Sequence, residues 1–203
     1  MAQTWTTPVT KSPGNPILSA DWNTYVRDNS SYLRNVINES VLGAAAASIT
    51  FSSIPSTYRH LQLLITGRSD SATPIYTYVR MSFNGDGGAN YYYEELNINN
   101  ATVGSSSAVA QTGLVIGAIT NSTNTADRAG VIDLTIPRYA GTTFHKSFTS
   151  LTQAAVTSVA SGQYNFMHGG TWASTAAITS ITLAPNSGNF IAGTVVTLYG
   201  LYI

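Results

Sequence analysis

Few side chains in this sequence are arranged for catalysis or metal binding. The three histidines, His60, His145 and His168, are far apart and show no metal-ligand spacing, and the chain contains no cysteine. These features argue against a zinc site and exclude a cysteine nucleophile. No Gly-x-Ser-x-Gly elbow is present. Acidic residues would form a carboxylate pair for glycoside cleavage only if the fold brought two of them together. We therefore expect a protein without enzymatic activity, metal or other cofactor.

A cluster of aromatic residues is the best candidate for a binding surface. Tyr91, Tyr92 and Tyr93 are consecutive and directly precede two glutamates, and Trp172 would join them if the fold brought it near. Aromatic faces beside carboxylates can stack on sugar rings and hydrogen-bond their hydroxyls. In a strand, however, Tyr92 points opposite to its neighbours, so at least one tyrosine is expected in the core or in a subunit contact. The sequence leaves open whether this cluster binds sugar or packs.

Charged side chains are scarce. They make up 9% of the 203 residues, and the formal net charge is zero, whereas about 25% is usual in globular proteins. Such a chain is not suited to neutralise a phosphate backbone, so we expect no nucleic acid partner. No apolar run approaches the length of a spanning helix, and no signal-like segment follows Met1, so we expect no membrane insertion. Low net charge gives little protection against self-association, which favours an assembly component.

Most of the chain shows the patterns of β-strands. Leu61, Leu63 and Ile65 alternate with less apolar residues, as do Ile132, Leu134 and Ile136, which is typical of strands with one buried face. The apolar C-terminal strand should be central or covered by a neighbour. We predict a mainly β fold, an antiparallel β-sandwich of jelly-roll-like type over residues 44–203. The predicted strands are 48–51, 60–68, 76–83, 108–119, 128–137, 144–156, 162–172, 178–184 and 190–203.

Residues 1–18 differ from the rest and are predicted to form an extended attachment arm. Pro8, Pro13 and Pro16 prevent regular structure and favour an extended path. Trp5 is the only large aromatic side chain of the arm. It is interpreted either as an anchor in a pocket of a partner or as a side chain that packs on its own domain.

Residues 19–43 are predicted to form an oligomerisation helix, from about Ser19 to Glu39, followed by a hinge. Apolar residues and one asparagine recur at the alternating spacings of four and three that are typical of a coiled-coil seam. A seam asparagine is satisfied by an equivalent asparagine and so fixes register and oligomeric state. The alternative is an amphipathic helix that packs on its own β domain. The seam residues are Trp22, Val26, Asn29, Leu33 and Val36.

The N-terminal segment also resembles that of many tailed-phage structural proteins. The similarity lies in the run Thr4 to Pro8, TWTTP, in the run Ile17 to Asn29, ILSADWNTYVRDN, and in Tyr32-Leu33. Looser similarity to phage proteins extends to FSSIPSTYRHLQL and to the C-terminal ITLAPNSGNFIAGTVVTLYGLYI. The resemblance implies a tail-fibre, minor structural or head-decoration protein that is made in the host bacterial cytoplasm and incorporated into the virion.

Proteins of this kind grip other virion proteins, of the capsid or the tail, through N-terminal arms. They commonly assemble as homotrimers and direct β-rich domains outward. The resemblance therefore implies a structural role for this chain, in which the arm docks, the helix sets the oligomer and the β domain is displayed. The alternative is a receptor-recognition module of the tail that binds host surface glycan.

Overall fold

The computed structural model describes residues 18, 34–72, 75–99, 102–156 and 163–202. Within these ranges the regular structure is entirely β, and no helix is long and apolar enough to cross a membrane. The described strands are β1 Arg34–Val41, β2 Ile49–Phe51, β3 His60–Gly67, β4 Tyr76–Phe83, β5 Tyr91–Asn99, β6 Thr102–Gln111, β7 Leu114–Thr120, β8 Gly130–Pro137, β9 Lys146–Ala155, β10 Gln163–Trp172, β11 Ile181–Pro185 and β12 Val195–Leu201.

The strands form two antiparallel sheets. The larger has eight strands in the order β1-β12-β3-β8-β9-β10-β5-β6, and the smaller has four in the order β2-β11-β4-β7. Every pairing between neighbouring strands is antiparallel. The prediction of a mainly β, antiparallel fold is therefore confirmed.

Alternating apolar residues build the core between the two sheets. Leu61, Leu63 and Ile65 of β3 are fully buried, and β8 alternates between buried isoleucine or leucine and more exposed residues. They belong to the same cluster as Met81 of β4 and Ile116 of β7 in the smaller sheet. Because side chains alternate across a strand, this pattern leaves the other face of the larger sheet in contact with solvent.

The two sheets are in contact where β7 packs against β8, β9 and β10. All seven residues of β7 are buried. The hydroxyl of Ser150 in β9 donates to the carbonyl of Ile116 at 2.6 Å, and that of Thr120 donates to the carbonyl of Ala155 at 2.8 Å. These hydrogen bonds connect the two sheets and hold the inner face of β9 in place. The outer face of the same strand contributes to the candidate site.

The prediction of a helix extending to Glu39 is wrong for its last residues. Residues 34–41 form β1, which pairs with β12 and has an irregularity between Val36 and Asn38. Val36, predicted to lie in the seam, is in this strand, and 58% of its surface is exposed. The β-branched residues favour a strand, and pairing with β12 satisfies backbone groups that a short helix would leave marginal. The β domain therefore begins by Arg34, ahead of residue 44.

The remaining predictions for the N-terminal segment lie outside the described residues. They concern the arm residues Trp5, Pro8, Pro13 and Pro16 and the seam residues Trp22, Val26, Asn29 and Leu33.

The C-terminal strand is internal to the larger sheet and has a neighbouring strand on each side, in line with the prediction that it is covered. β12 lies between β1 and β3, and Val196 and Leu198 are fully buried. Because Arg34 pairs with Leu201 and Val41 with Val195, the first and last strands run side by side along their length.

Candidate functional site

Two members of the predicted aromatic surface are core residues. Tyr91 is fully buried and only 3% of the surface of Trp172 is exposed. Their rings stack with centroids 6.3 Å apart because β5 and β10 place the two residues opposite each other. Tyr91 and Trp172 are therefore not available to a ligand, and their role in the predicted surface is corrected to one in packing.

Hydrogen bonds with the end of β4 and the loop after it hold both aromatic residues. The Tyr91 hydroxyl accepts from the amide of Phe83 at 3.1 Å and donates to the carbonyl of Asp86 at 3.0 Å. The Trp172 indole nitrogen donates to the Asp86 carboxylate at 2.7 Å. This bond, together with bonds from Asn90 and the amide of Gly88, lowers the pKa of the Asp86 carboxyl. Asp86 thus fixes the connection between the two sheets.

Replacing Asp86 with alanine should destabilise the protein moderately. The buried indole N–H of Trp172 would lose its acceptor, and leaving such a donor unsatisfied costs about 1–3 kcal/mol. Thermal unfolding followed by circular dichroism should show a lower midpoint than that of wild type. The matched control is Asp127→Ala, which removes a carboxylate from an exposed loop position and should change the midpoint little. Equal midpoints for the two variants would contradict this role for Asp86.

Tyr92 and Tyr93 follow the predicted alternation along β5. Tyr92 faces outward with 41% of its surface exposed, whereas Tyr93 is partly buried and packs against the core cluster. Tyr92 is therefore the member of the aromatic cluster that remains on the outer face.

An open groove of about 1030 Å³ crosses the outer face of the larger sheet. It passes over β3, β8, β9, β10, β5 and β6, which are six neighbouring strands. Five strand intervals of about 4.8 Å give it a length of roughly 24 Å. Its lining residues are Gln62, Tyr92, Tyr93, Glu94, Glu95, Leu96, Ser105, Ser107, Ala108, Val109, Asp133, Thr135, Thr149, Ser150, Leu151, Met167, His168, Gly169, Gly170 and Thr171.

The strand register places a glycine in the middle of this groove. Gly169 pairs with Thr149 on one side and with Glu94 on the other, so the three share the outer face. A Cβ on Gly169 would meet only the carbonyl oxygen of Phe148, at 3.9 Å. A glycine inside a strand leaves a local gap in the surface. The groove therefore has a notch at Gly169, between a hydroxyl and a carboxylate.

An apolar row borders the notch on one side. Leu151, Met167 and Leu96 are successive cross-strand neighbours in β9, β10 and β5. Their surfaces are 61%, 53% and 45% exposed, respectively. On the other side, Thr171 pairs with Tyr92. The groove thus combines an apolar wall, a polar floor and the exposed aromatic side chain of Tyr92.

The charged lining of the groove is acidic. Glu94 and Asp133 lie on the outer face, and none of the described residues that line the groove is a lysine or an arginine. Gln62 donates to Asp133 at 2.6 Å. Glu94 and Asp133 lie on strands three intervals apart and are offset by two residues along the strands, so their backbones are about 16 Å from each other. The side chains of Glu94 and Glu95 point to opposite faces of β5. This arrangement is not that of the closely paired carboxylates of a glycosidase.

A buried ion-pair geometry lies directly beneath the groove. Nε2 of His168 is 3.1 Å from Oε2 of Glu95, and both side chains are almost entirely buried. Asn97 donates to the other Glu95 oxygen at 2.7 Å. Burial would raise the pKa of the Glu95 carboxyl, but hydrogen bonds from His168, Asn97 and Tyr78 outweigh it and hold that pKa below its ordinary value. Burial, followed by contacts with Tyr76 and Glu95, raises the pKa of Tyr78.

This buried pair and the groove were not predicted from the sequence. Glu95 and His168 are 73 residues apart and meet only through the pairing of β5 with β10. The one local signal is the position of Glu95 on the same face of β5 as buried Tyr91, where an unpaired carboxylate would be costly. No group of three metal-ligating side chains occurs in the described part of the chain.

Comparison of the chain with protein-family models, with curated proteins and with solved structures found no match.

Proposed function

We propose that the chain is a non-enzymatic structural component of a tailed-phage virion. Its N-terminal segment attaches it to another virion protein, of the tail or the capsid, and its β domain is displayed at the particle surface. The resemblance of TWTTP and ILSADWNTYVRDN to phage structural proteins supports this role. The arrangement of the sheets adds further support.

The strand order supports a jelly-roll sandwich with two inserted hairpins. If β5, β6, β9 and β10 are left out, the eight remaining strands can be renumbered 1 to 8 in chain order. The larger sheet then has the order 1-8-3-6 and the smaller sheet the order 2-7-4-5. That order is the one of a jelly roll, an architecture found in viral capsid and lectin domains. The hairpins β5-β6 and β9-β10 then extend one sheet from four strands to eight. The architecture suits a virion protein, but this part of the support is an analogy of fold.

The edge position of β1 in the larger sheet is the observation that carries the display role. β1 is the edge strand of the larger sheet and is paired along its length with β12, so the N-terminal segment joins the domain at one edge. The opposite edge, β6, is seven strand intervals away, or about 34 Å. An attachment made at the β1 edge would then leave accessible the β6 edge and the part of the groove over β10, β5 and β6, which lies five or more strand intervals away.

We also propose that the chain assembles with itself, most simply as a homotrimer. Because β1 begins at Arg34, the proposed helix is confined to residues 19–33, with Trp22, Val26, Asn29 and Leu33 in its seam. A helix of this length is marginal alone and needs contacts between the β domains. Light scattering of the full chain should give a trimeric mass, and replacing Asn29 with aspartate should lower it by charge repulsion. A wild-type monomer at high concentration would contradict this assembly.

Immunogold electron microscopy tests the proposed location. Antibodies against the β domain should label tailed particles purified from the culture that produces the chain, at one structural position. In a binding assay with particles that lack the chain, the purified full chain should attach, and Trp5→Ala should weaken attachment without changing thermal unfolding. Tyr92→Ala, a change at an exposed aromatic residue of the β domain, is the matched control and should attach normally. Absence of the chain from purified particles would refute the proposal.

A further inference from the structure

The groove is built mainly by the strands that extend the sheet. Leu151 and Thr149 lie on β9, Met167 and Gly169 on β10, and Glu94 on β5. β3 and β8 contribute Gln62, Asp133 and Thr135 at one end. Removal of the two hairpins would leave the rest of the two-sheet core but eliminate most of the groove. A surface feature carried by insertions is more readily explained as a site added to a scaffold than as a requirement of the core.

The floor of the groove offers hydrogen-bonding groups in a row. The side chains of Thr135, Thr149, Glu94 and Ser107 supply them across five strands in register, with Gly169 between Thr149 and Glu94. The notch at Gly169 gives a ligand access to the floor between the Thr149 hydroxyl and the Glu94 carboxylate. An extended ligand that carries many hydroxyl groups would find partners along the whole row.

The wall of the groove offers an apolar surface parallel to that row. Leu151, Met167 and Leu96 form a continuous exposed stripe, which is uncommon on a soluble protein unless it contacts something. Sugar rings have the matching character, since their C–H faces are apolar and their edges carry hydroxyls. Tyr92 adds an aromatic face at the border of the groove.

The charges of the groove limit the class of ligand. Glu94 and Asp133 would repel phosphate, sulfate and carboxylate groups, and no basic residue in the described part of the chain lines the groove to balance them. We propose that the groove binds a neutral oligosaccharide in an extended conformation. The biological meaning of this binding rests on the proposed display of the domain on a phage particle, where the ligand would be a cell-surface glycan. Binding by the purified chain does not depend on that location.

Glycan binding by the purified full chain tests this inference. The probes are neutral oligosaccharides of glucose, galactose, rhamnose, mannose and N-acetylglucosamine on an array, with sulfated and uronic-acid counterparts beside them. At least one neutral oligosaccharide should bind, and its charged counterpart should bind more weakly. Titration calorimetry should then show that Gly169→Val, which fills the notch, weakens binding by roughly tenfold or more. Glu94→Gln should also weaken it, because it removes a charged acceptor of hydroxyl groups.

Gly43→Val is the matched control. Gly43 is exposed and lies outside the groove. A Cβ at Gly43 would have no atom within 4 Å, and a Cβ at Gly169 would have one, at 3.9 Å. This variant should bind like wild type, and thermal unfolding should show that all three variants fold.

Absence of binding to any neutral oligosaccharide, or binding by Gly169→Val equal to that of wild type, would overturn the inference. So would a wild-type oligomer that dissociates when Leu151 and Met167 become serine, because the stripe would then be a contact between copies. A chain absent from particles would overturn the proposed function but leave a positive array result standing.

Discussion

Replacing His168 with alanine is expected to lower the free energy of unfolding by about 3 kcal/mol or more. The change leaves the buried carboxylate of Glu95 without its histidine partner. The Glu95 side chain is almost fully buried, and His168 Nε2 lies 3.1 Å from it. His168 also packs against Phe166 and Tyr78, so the alanine leaves a cavity as well. Urea unfolding at neutral pH measures the loss.

Two further variants separate the electrostatic effect from packing. His168→Gln keeps an amide that can donate to Glu95 and should lose less stability than His168→Ala. His145→Ala removes an exposed histidine and should change the free energy of unfolding by no more than about 0.5 kcal/mol. Equal losses for His168→Ala and His145→Ala would contradict the role of the buried pair.

The same carboxylate predicts the direction of a pH effect. Its pKa is lower in the folded protein than the ordinary value of 4.5, so the folded state favours the ionised form. The resulting stability is fully present above that ordinary value and is lost as the pH falls through the lower pKa of the folded protein. Glu95→Gln should therefore be less stable than wild type at neutral pH. Its free energy of unfolding should also change less with pH in this acidic range. Parallel stability curves for the two proteins would contradict the account.

Replacing Gly130 with alanine is expected to destabilise the protein by about 3 kcal/mol, at the upper end of the usual cost of overpacking. A Cβ at this position would lie 2.6 Å from the Cα of Ile119 and 3.0 Å from the carbonyl oxygen of Ala118. Both are backbone atoms of β7, so the clash can be relieved only by moving the two sheets apart. Thermal and urea unfolding should both report the loss.

Gly169→Ala is the matched control for this experiment. Both glycines lie in strands of the larger sheet, but Gly130 faces β7 whereas Gly169 faces the groove, and its nearest contact for a Cβ is at 3.9 Å. Alanine at Gly169 should leave stability unchanged or raise it slightly, because glycine in a strand carries an entropic cost. A loss at Gly169 as large as that at Gly130 would contradict the assigned orientations of these strands.

Local patterns predicted β3 and β8 well, but they missed β5, and the strand predicted over 108–119 is divided at residues 112–113 between β6 and β7. Alternation identified β3 and β8 because Leu61, Leu63 and Ile65 must all lie on one face. The same logic fails near residue 36. There Val36 fits both the helical spacing that begins at Trp22 and the strand that pairs with β12, and the pairing partner is more than 150 positions later in the sequence. Whether such a segment forms a helix or a strand is decided by pairing with a distant strand, and the local spacing of residues does not reveal that pairing.

The candidate site was harder to predict because it depends on register between distant strands. The Tyr91 to Tyr93 cluster drew attention to the right strand, but only Tyr92 is on the exposed outer face. Gly169 becomes meaningful only when β10 is placed between Thr149 and Glu94. Trp172, which looked suited to a ligand, is instead held in the core by Asp86. Sequence alone does not show which face of a strand a neighbour covers.

A density map of the virion with this chain in place is the measurement that tests the proposed function most directly. We predict that residues 1–33 contact another virion protein, that the β1 edge faces the particle, and that the groove around Gly169 is open to solvent. A map in which the β domain is buried within the particle wall, or in which the chain is absent, would contradict the account.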